Sequence, residues 1–357
     1  MSAAFLAPRA NPHLVGHEAA EAAFLEALAA GRLPHAWLIT GPPGIGKATF
    51  AHRVARFLLA GGRLGAQGLA VPADHPTFRR TAAGGHADLL TIERNGGDDE
   101  RKRRSREIPV EEIRRIDPFL RLTAAEGNWR VVLVDEAEAM NRNGANALLK
   151  ILEEPPAHAV LLLTCGNPGA LLPTIRSRCR HLALEPLPDA VVDWLLSEHA
   201  PDLPADERAA LVRLAEGSIG RAAALIEDGG LGIYRDMVAL MDDFPRVDFR
   251  AVHKLGDRIG PVAAETSWRL FTELLVWWMA RLARAAARGT APTEIVAGEG
   301  VVMQRVVGVL DRAGGLDRWI ELWDNTRRLF AQADGSNLDR KQVLLQAFIG
   351  IERACNT

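Results

Sequence analysis

A short apolar run that ends in a glycine-rich loop constrains the fold of this chain more than any other feature. The run is Ala36–Thr40, and it leads directly into the loop Gly41–Lys47. Beyond the loop, Phe50, Val54 and Phe57 recur at the spacing of one helix face. A strand, a glycine loop with a lysine, and a helix in this order form the context of a phosphate-binding P-loop. The sequence therefore predicts that the chain contains an α/β nucleotide-binding domain.

Further apolar runs extend this pattern toward the middle of the chain. Val131–Val134 and Val160–Thr164 are short and almost wholly apolar, and Leu89–Ile92 and His181–Leu184 are weaker candidates. Such runs suit strands that are buried on both faces of a sheet. Helical patterns lie between them, at Ile108–Leu122 and Asn143–Leu152. Alternating strands and helices predict a parallel sheet with flanking helices over residues 1–183.

The strand signal stops after residue 183, and the rest of the chain has a helical pattern. Asp189–His199, Asp206–Glu216 and Arg221–Ile226 are read as helices. They predict a small helical lid domain over residues 184–231. From 232 to 357 apolar residues continue at helical spacing, with tryptophans interpreted as core, which predicts an all-α C-terminal domain.

Composition narrows the class of protein. The 357 residues carry a formal net charge of −2 and are 48% hydrophobic and 25% charged, as in a soluble globular protein. A net charge close to zero disfavours a protein whose main role is nonspecific binding to nucleic acid. The basic cluster Arg101–Arg106 follows acidic residues, so a solvated loop is preferred to a DNA contact. The apolar run Leu274–Ala280 falls short of the roughly 20 residues that span a bilayer. With no C-x-x-C pair among three cysteines, the chain is expected to be cytoplasmic.

The glycine loop has the chemistry of a triphosphate site. Gly41, Gly44 and Gly46 would let backbone N–H groups surround phosphate oxygens at the start of a helix. Lys47 would reach the β- and γ-phosphates. The competing interpretation is a plain glycine turn between strand and helix. The expected ligand is ATP or ADP with Mg²⁺.

One position departs from the P-loop pattern. The residue after the lysine should be Ser or Thr, because its hydroxyl binds Mg²⁺, but here it is Ala48. Thr49 comes one step later, which is about 100° around a helix. Nucleotide binding would survive this change, and Thr49 is a candidate residue for it, whereas efficient hydrolysis is not expected.

An acidic pair follows the run Val131–Val134. Asp135 and Glu136 at the carboxyl end of a buried strand have the pattern of a Walker B motif. Asp135 would hold Mg²⁺, usually through water, and Glu136 would polarise the attacking water. The competing interpretation is a pair of solvated carboxylates that end a strand.

Two longer segments downstream give the pattern a family resemblance. Asn146–Pro156 follows the acidic strand, and Leu172–Cys179 follows the next one. Together with Leu14–His17, they resemble the AAA+ clamp-loader family, which includes bacterial DNA polymerase III subunits and eukaryotic replication factor C. The resemblance covers about residues 11 to 230. It implies an AAA+ fold, a ring of five three-domain subunits, and ATP-driven loading of a sliding clamp onto primed DNA.

The resemblance assigns a role to one arginine and leaves another position open. In this family the arginine of the Ser-Arg-Cys motif reaches into the nucleotide site of a neighbouring subunit, and it corresponds to Arg178. A guanidinium presented in trans can stabilise charge that develops on the γ-phosphate. The competing interpretation is an ordinary salt-bridged surface arginine. Either Thr164 or Cys165 lies at the sensor-1 position of the family.

Two departures from the family pattern, at Ala48 and at Gly220, favour a particular type of subunit. Motor subunits carry an arginine in a Gly-Ser-x-Arg pattern of the lid, but that position here is Gly220, which resembles delta-prime subunits. Arg221 is one residue late and should point elsewhere. A third departure points the other way: the four-cysteine zinc module of many clamp-loader subunits has no counterpart in Gly61–Gly85, so no zinc is expected.

These features favour a non-motor clamp-loader subunit that lends Arg178 to a neighbour and has weak or absent ATPase activity of its own. The expected partners are gamma/tau and delta subunits, and through them the sliding clamp and primed DNA, with no membrane. Residues 232–357 would form the collar that joins subunits. The alternatives are a gamma/tau-type ATPase motor and a P-loop kinase acting on a small molecule.

Overall fold

The structure, a computed structural model, describes residues 5–62, 68–94, 107–126, 128–243, 246–290, 292–311, 314–336 and 338–356. Packing divides the chain into two compact units. The N-terminal unit comprises Met1–Leu203 and Ala215–Arg221, and the C-terminal unit comprises Pro204–Leu214 and Ala222–Thr357. The three-domain division at residues 183 and 231 stays a prediction. The basic cluster at 101–106 lies outside the described residues.

A five-stranded parallel sheet forms the centre of the N-terminal unit. Its strands are β1 (Ala36–Thr40), β2 (Leu89–Ile92), β3 (Arg130–Val134), β4 (Ala159–Cys165) and β5 (Arg180–Ala183). The spatial order is β2-β3-β4-β1-β5, and every neighbouring pair is parallel. The parallel sheet predicted from the apolar runs is therefore confirmed, with strand ends that differ by at most one residue.

Helices cover both faces of this sheet. The helices described between residues 1 and 203 are α1 (Glu18–Ala29), α2 (Lys47–Leu59), α3 (Pro76–Ala82), α4 (Val110–Arg114), α5 (Ile116–Arg121), α6 (Arg142–Glu153), α7 (Pro173–Arg176) and α8 (Asp189–His199). Alternate residues of β3 point to opposite sides: Val131 and Leu133 pack in the cluster that contains α1 and α2, and Val132 and Val134 pack against α4 to α6. A strand buried on both faces has no polar side, which explains the continuous apolar runs.

One predicted helix is two helices in the structure. The pattern Ile108–Leu122 was expected to be continuous, but α4 ends at Arg114 and α5 begins at Ile116. The cause is Pro118, which has no N–H to donate to the carbonyl of Arg114 and is tolerated only in the first turn of a helix. The chain therefore starts a second helix just before the proline.

The regular secondary structure in the described residues of the C-terminal unit consists of helices. Helices α9 (Ala205–Ala215) and α10 (Ile219–Glu227) contribute residues to both units, and the remaining helices are α11 (Gly230–Ala239), α12 (Phe249–Ile259), α13 (Glu265–Arg288), α14 (Glu299–Leu310), α15 (Gly315–Ser336) and α16 (Arg340–Asn356). Trp268 and Trp278 of α13 are fully buried, as the helical spacing predicts. None of the helices in the described ranges is both long and apolar enough to cross a bilayer.

A buried carboxylate organises the core of the C-terminal unit. Glu299, at the start of α14, is completely buried and accepts hydrogen bonds from Nη1 of Arg281 at 2.7 Å and from the hydroxyl of Tyr234 at 2.5 Å. The backbone N–H of Ile295 donates to its second oxygen at 2.7 Å. Burial next to this carboxylate raises the pKa of Tyr234, so the phenol stays protonated and donates. A buried charge with this many partners fixes how α11, α13 and α14 meet.

Candidate functional site

The glycine loop lies at the carboxyl edge of the sheet, between β1 and α2. Gly44 and Gly46 have φ angles of 75° and 105°, values that side-chain-bearing residues rarely adopt. Gly46 caps α2, so the loop delivers the chain directly to the N-terminus of a helix of 13 residues. Free N–H groups and the positive end of the helix dipole make such a position suitable for phosphate. The sequence prediction of a strand at Ala36–Thr40, followed by a glycine loop and a helix, is confirmed.

Lys47 is folded onto the loop. Its Nζ donates to the carbonyl oxygens of Gly41 at 2.9 Å and Pro42 at 2.8 Å. Burial lowers the pKa of Lys47, while the charges of Glu138 and Asp135 oppose that shift. The lysine thus lies between the P-loop and a group of carboxylates. Phosphate oxygens would replace two neutral carbonyls as its acceptors, which favours binding of an anion.

The acidic pair is joined to the next strand of the sheet by one hydroxyl. Oγ1 of Thr164 donates to Oδ1 of Asp135 at 2.5 Å and accepts the backbone N–H of Glu136 at 2.9 Å. Glu136 has φ 53° and ψ 55°, a left-handed conformation that is costly for a residue with a side chain. The bond to Thr164 helps to hold that conformation. Of the two sensor-1 candidates, Thr164 contacts the acidic pair.

Cys165 faces a different carboxylate. The pKa of its thiol is raised to about 12, first by burial and then by the nearby charge of Glu138 and a hydrogen bond to it. The thiol therefore stays neutral and buried at ordinary pH. Cys179 is likewise a free, buried cysteine whose pKa is raised to about 12 by burial. Neither thiol has the exposed, electropositive surroundings of a reactive cysteine.

Two charged residues near the site were missed by the sequence analysis. Glu138 lies three residues after Asp135, and its Oε1 accepts the N–H groups of Gly166 at 2.6 Å and Asn167 at 3.2 Å. Arg94 forms an ion pair with Glu136, with Nε and Oε2 3.1 Å apart. Nothing in the spacing of these residues signals the contacts, because they depend on which strands are neighbours in the sheet.

The magnesium-binding hydroxyl of a P-loop is missing from its usual position in α2. Ala48 occupies its position in the first turn of α2, and Thr49 is buried, with 8% of its surface exposed. The adjoining carboxylate of Asp135 and the loop amides do fit a nucleotide with Mg²⁺. One ligand of that ion would then have to be water. The candidate role of Thr49 stays a prediction, and its burial weighs against it.

The first turn of α10 lies directly on the P-loop. The N–H of Gly220 donates to the carbonyl of Gly44 at 2.9 Å, and Oγ of Ser218 donates to the carbonyl of Pro43 at 2.9 Å. A Cβ atom on Gly220 would lie 2.8 Å from both Cα and O of Gly44, too close for any real contact. An arginine at position 220 would therefore force the two segments apart. Arg221 pairs instead with Glu216, at 3.3 Å.

The segment before α1 also contacts the loop. His17 is buried, and its Nε2 lies 2.7 Å from the carbonyl oxygen of Ile45. This contact brings Leu14–His17 beside the phosphate loop in the same unit.

Arg178 lies on the surface just after α7. Its Nη1 donates to the carbonyl oxygen of Thr174 at 3.1 Å, and its Nη2 donates to Oε1 of Glu153 at 2.9 Å. The arginine side chain is 37% exposed and that of the glutamate 52%. The guanidinium is therefore accessible to another molecule.

Within the described residues, no cluster of His, Cys, Asp and Glu is arranged to hold a metal ion, and the expectation of no zinc stays a prediction.

A glycine loop after β1, an acidic pair after β3 and a parallel sheet of order β2-β3-β4-β1-β5 define the N-terminal unit as a P-loop nucleotide-binding domain of the AAA+ class. Residues 16–188 match the family model described as "DNA polymerase III, delta subunit". The resemblance to clamp-loader subunits is therefore confirmed over this segment.

Individual relatives agree with the family match. The chain is 41% identical over 186 residues to the DNA polymerase III subunit delta' of Pseudomonas aeruginosa, covering 52% of this chain and 53% of that protein. It is 34% identical over 205 residues to subunit delta' of Escherichia coli, covering 56% of each chain. The gamma/tau subunit of Mycobacterium bovis is 34% identical over 200 residues, which are 53% of this chain and 31% of that protein. The matches thus span about half the length of the delta' relatives.

Proposed function

We propose that this chain is a non-motor subunit of a DNA polymerase III clamp loader that donates Arg178 to the nucleotide site of a neighbouring subunit. One observation carries the proposal. The arginine that would serve another subunit is present and accessible, whereas the chain's own site lacks the hydroxyl at Ala48 and the lid arginine at Gly220. The 41% identity to the delta' subunit of Pseudomonas aeruginosa exceeds the 34% identity to the gamma/tau subunit of Mycobacterium bovis, which supports the same interpretation.

Arg178 has the chemistry that a trans catalytic group needs. Its guanidinium carries five N–H donors, of which the two hydrogen bonds to Thr174 and Glu153 occupy two. Three N–H groups remain for the oxygens of a γ-phosphate. An arginine supplied in trans accelerates phosphoryl transfer by about 10³- to 10⁵-fold. Turnover at the neighbour's site would therefore depend on this chain.

The chain's own site is proposed to bind nucleotide and to hydrolyse it poorly. ATP or ADP would be held by the loop amides at Gly41, Gly44 and Gly46 and by Lys47. Asp135 would orient Mg²⁺, which neutralises phosphate charge when it is bound. Glu136 would polarise water, but its carboxylate is paired with Arg94. The pairing and the missing hydroxyl both reduce its value as a base.

The partners follow from the relatives rather than from contacts seen in this chain. We infer that it assembles with gamma/tau and delta subunits, and through them acts on the sliding clamp and primed DNA. The AAA+ domain would occupy residues 1–183, the lid 184–231 and a collar that joins subunits 232–357. A cytoplasmic location accords with a role in replication.

Reconstitution with the other loader subunits tests the proposal. Arg178→Ala should leave assembly intact and lower both the ATPase and the clamp-loading rate of the complex, because the neighbour loses its trans charge. The matched control is Arg180→Ala, which removes an exposed arginine two residues away on β5. Normal ATPase in the Arg178→Ala complex would refute the assigned role.

The second candidate is a gamma/tau-type ATPase motor. The contact of Thr164 with the intact acidic pair favours it, since this part of a hydrolytic site is assembled. Purified chain, ATP, Mg²⁺ and primed DNA discriminate between the two. Substantial turnover by the chain alone supports the motor, and negligible turnover supports the subunit that serves its neighbour.

A further inference from the structure

Glu153 is the last residue of α6, and its carboxylate accepts the hydrogen bond from Nη2 of Arg178 at 2.9 Å. We propose that Glu153 is a positioning residue, which holds the guanidinium of Arg178 in the orientation presented to the neighbouring subunit. The inference rests on the proposed function, because it gives Glu153 a role only through the trans arginine.

The two contacts of the guanidinium differ in what they fix. Thr174 belongs to α7, four residues before Arg178, so the bond to its carbonyl is local and leaves the whole segment free to move together. Glu153 lies 25 residues away on α6, a helix that packs against α7. Only the second contact ties the head group to a separate element. The arginine is thus held relative to the body of the sheet as well as to its own turn.

Exposure argues for a positioning role rather than a structural one. Both side chains are accessible, at 37% and 52%, and ion pairs of this kind contribute little to the stability of a fold. An unrestrained arginine on the surface samples many rotamers, and these must be frozen when it meets a phosphate. If the guanidinium is already held in place before it meets the phosphate, that entropic cost is reduced. The benefit should therefore appear in the rate of the neighbour's reaction.

The hydrogen bond to Glu153 leaves other N–H donors of Arg178 available. The hydrogen bonds to Thr174 and Glu153 take one N–H from each terminal nitrogen, and the geometry leaves one N–H on each of them, together with Nε–H, for a ligand. Glu153 can therefore stay bound while Arg178 contacts phosphate. The competing possibility is a parking contact, in which the carboxylate competes with the phosphate for the same donors; it predicts the opposite change in rate.

The test uses the reconstituted complex with Glu153→Ala, Glu153→Gln, Arg178→Ala and the double variant. Glu153→Ala should lower kcat about two- to fivefold with little change in KM for ATP, the size expected from the loss of one exposed pair. Glu153→Gln keeps an oxygen acceptor of the same shape and should recover part of the loss. Glu154→Ala removes the same charge one residue later and serves as the matched control. The double variant should be no slower than Arg178→Ala.

Three results would overturn the inference. They are a faster complex with Glu153→Ala, which indicates a parking contact; an unchanged rate with Glu153→Ala while Arg178→Ala is slow; and additive losses in the double variant, which indicate an unrelated structural effect. If Arg178→Ala itself has the wild-type rate, the proposed function fails and the role of Glu153 falls with it. Glu153→Gln keeps the test decisive if the alanine variant assembles poorly.

Discussion

Replacing Gly220 with alanine should weaken the contact between the first turn of α10 and the P-loop. In the interior of a helix this substitution ordinarily stabilises by about 0.5–1 kcal/mol, because glycine loses more freedom on folding. At position 220 the same substitution should instead destabilise the structure. The added Cβ would lie 2.8 Å from Cα and O of Gly44, and both of these atoms belong to backbone that cannot turn away as a flexible side chain can.

The magnitude follows from two costs and one gain. Overpacking of a closely packed site costs about 1–3 kcal/mol. Separation of the segments also loses the hydrogen bond from the N–H of Gly220 to the carbonyl of Gly44, which contributes about 1 kcal/mol. When the gain in helix propensity is subtracted, Gly220→Ala should shift the free energy toward separation of α10 from the P-loop by about 1–3 kcal/mol. Amide exchange that requires this opening would then be about 5- to 150-fold faster.

Hydrogen exchange followed by mass spectrometry measures this effect directly. Peptides that cover the P-loop, residues 41–47, and the start of α10 should lose protection in Gly220→Ala. Gly308→Ala is the matched control, because a Cβ at that helical position meets nothing within 4 Å. It should leave the P-loop peptides unchanged. Equal or greater protection in Gly220→Ala would refute the steric argument.

Three further changes have expected outcomes. Ala48→Ser should tighten nucleotide binding only when Mg²⁺ is present, measured by calorimetry; equal affinity with and without the ion would place the defect elsewhere. Burial lowers the pKa of His52 to about 4, and the charges of Arg56 and Arg9 act in the same direction. The free energy of unfolding should therefore fall by about 1.4 kcal/mol per pH unit as the pH drops from about 6.5 toward 4. His52→Leu should flatten that slope in urea unfolding, and an unchanged slope would contradict it. Glu299→Gln should destabilise the C-terminal unit by about 3–5 kcal/mol, because Arg281 loses its buried counter-charge; a loss below 1 kcal/mol in denaturant unfolding would contradict this.

The sheet was predictable from the sequence because its strands are buried on both sides. Ala36–Thr40 and Leu89–Ile92 were predicted with the bounds that the structure shows, since apolar runs bounded by turns leave few other solutions. The break at Arg115 was missed, because a helical pattern of apolar residues continues across it. There the local effect of Pro118 prevails over the periodicity.

The site was predictable only where its residues follow one another in the chain. The phosphate loop and the pair Asp135–Glu136 are read directly from the sequence. Glu138, Arg94 and Glu153 could not be found in this way, because each meets its partner through strand order or through the packing of α6 with α7. The contact of Thr164 with the acidic pair likewise depends on the register of β4 against β3.

The central claim is that this chain serves a neighbour's nucleotide site and not its own, and one comparison tests it most directly. Two reconstituted complexes would carry either Arg178→Ala or Glu136→Gln in this chain alone, and single-turnover ATP hydrolysis would be measured on primed DNA with the clamp. The account predicts that Arg178→Ala slows hydrolysis at the adjoining site by about 10³-fold or more. Glu136→Gln should leave the hydrolysis rate of the complex within about twofold of the wild-type rate, a smaller change than the tenfold that corresponds to 1.4 kcal/mol. The reverse result, with hydrolysis lost in Glu136→Gln and retained in Arg178→Ala, would contradict it.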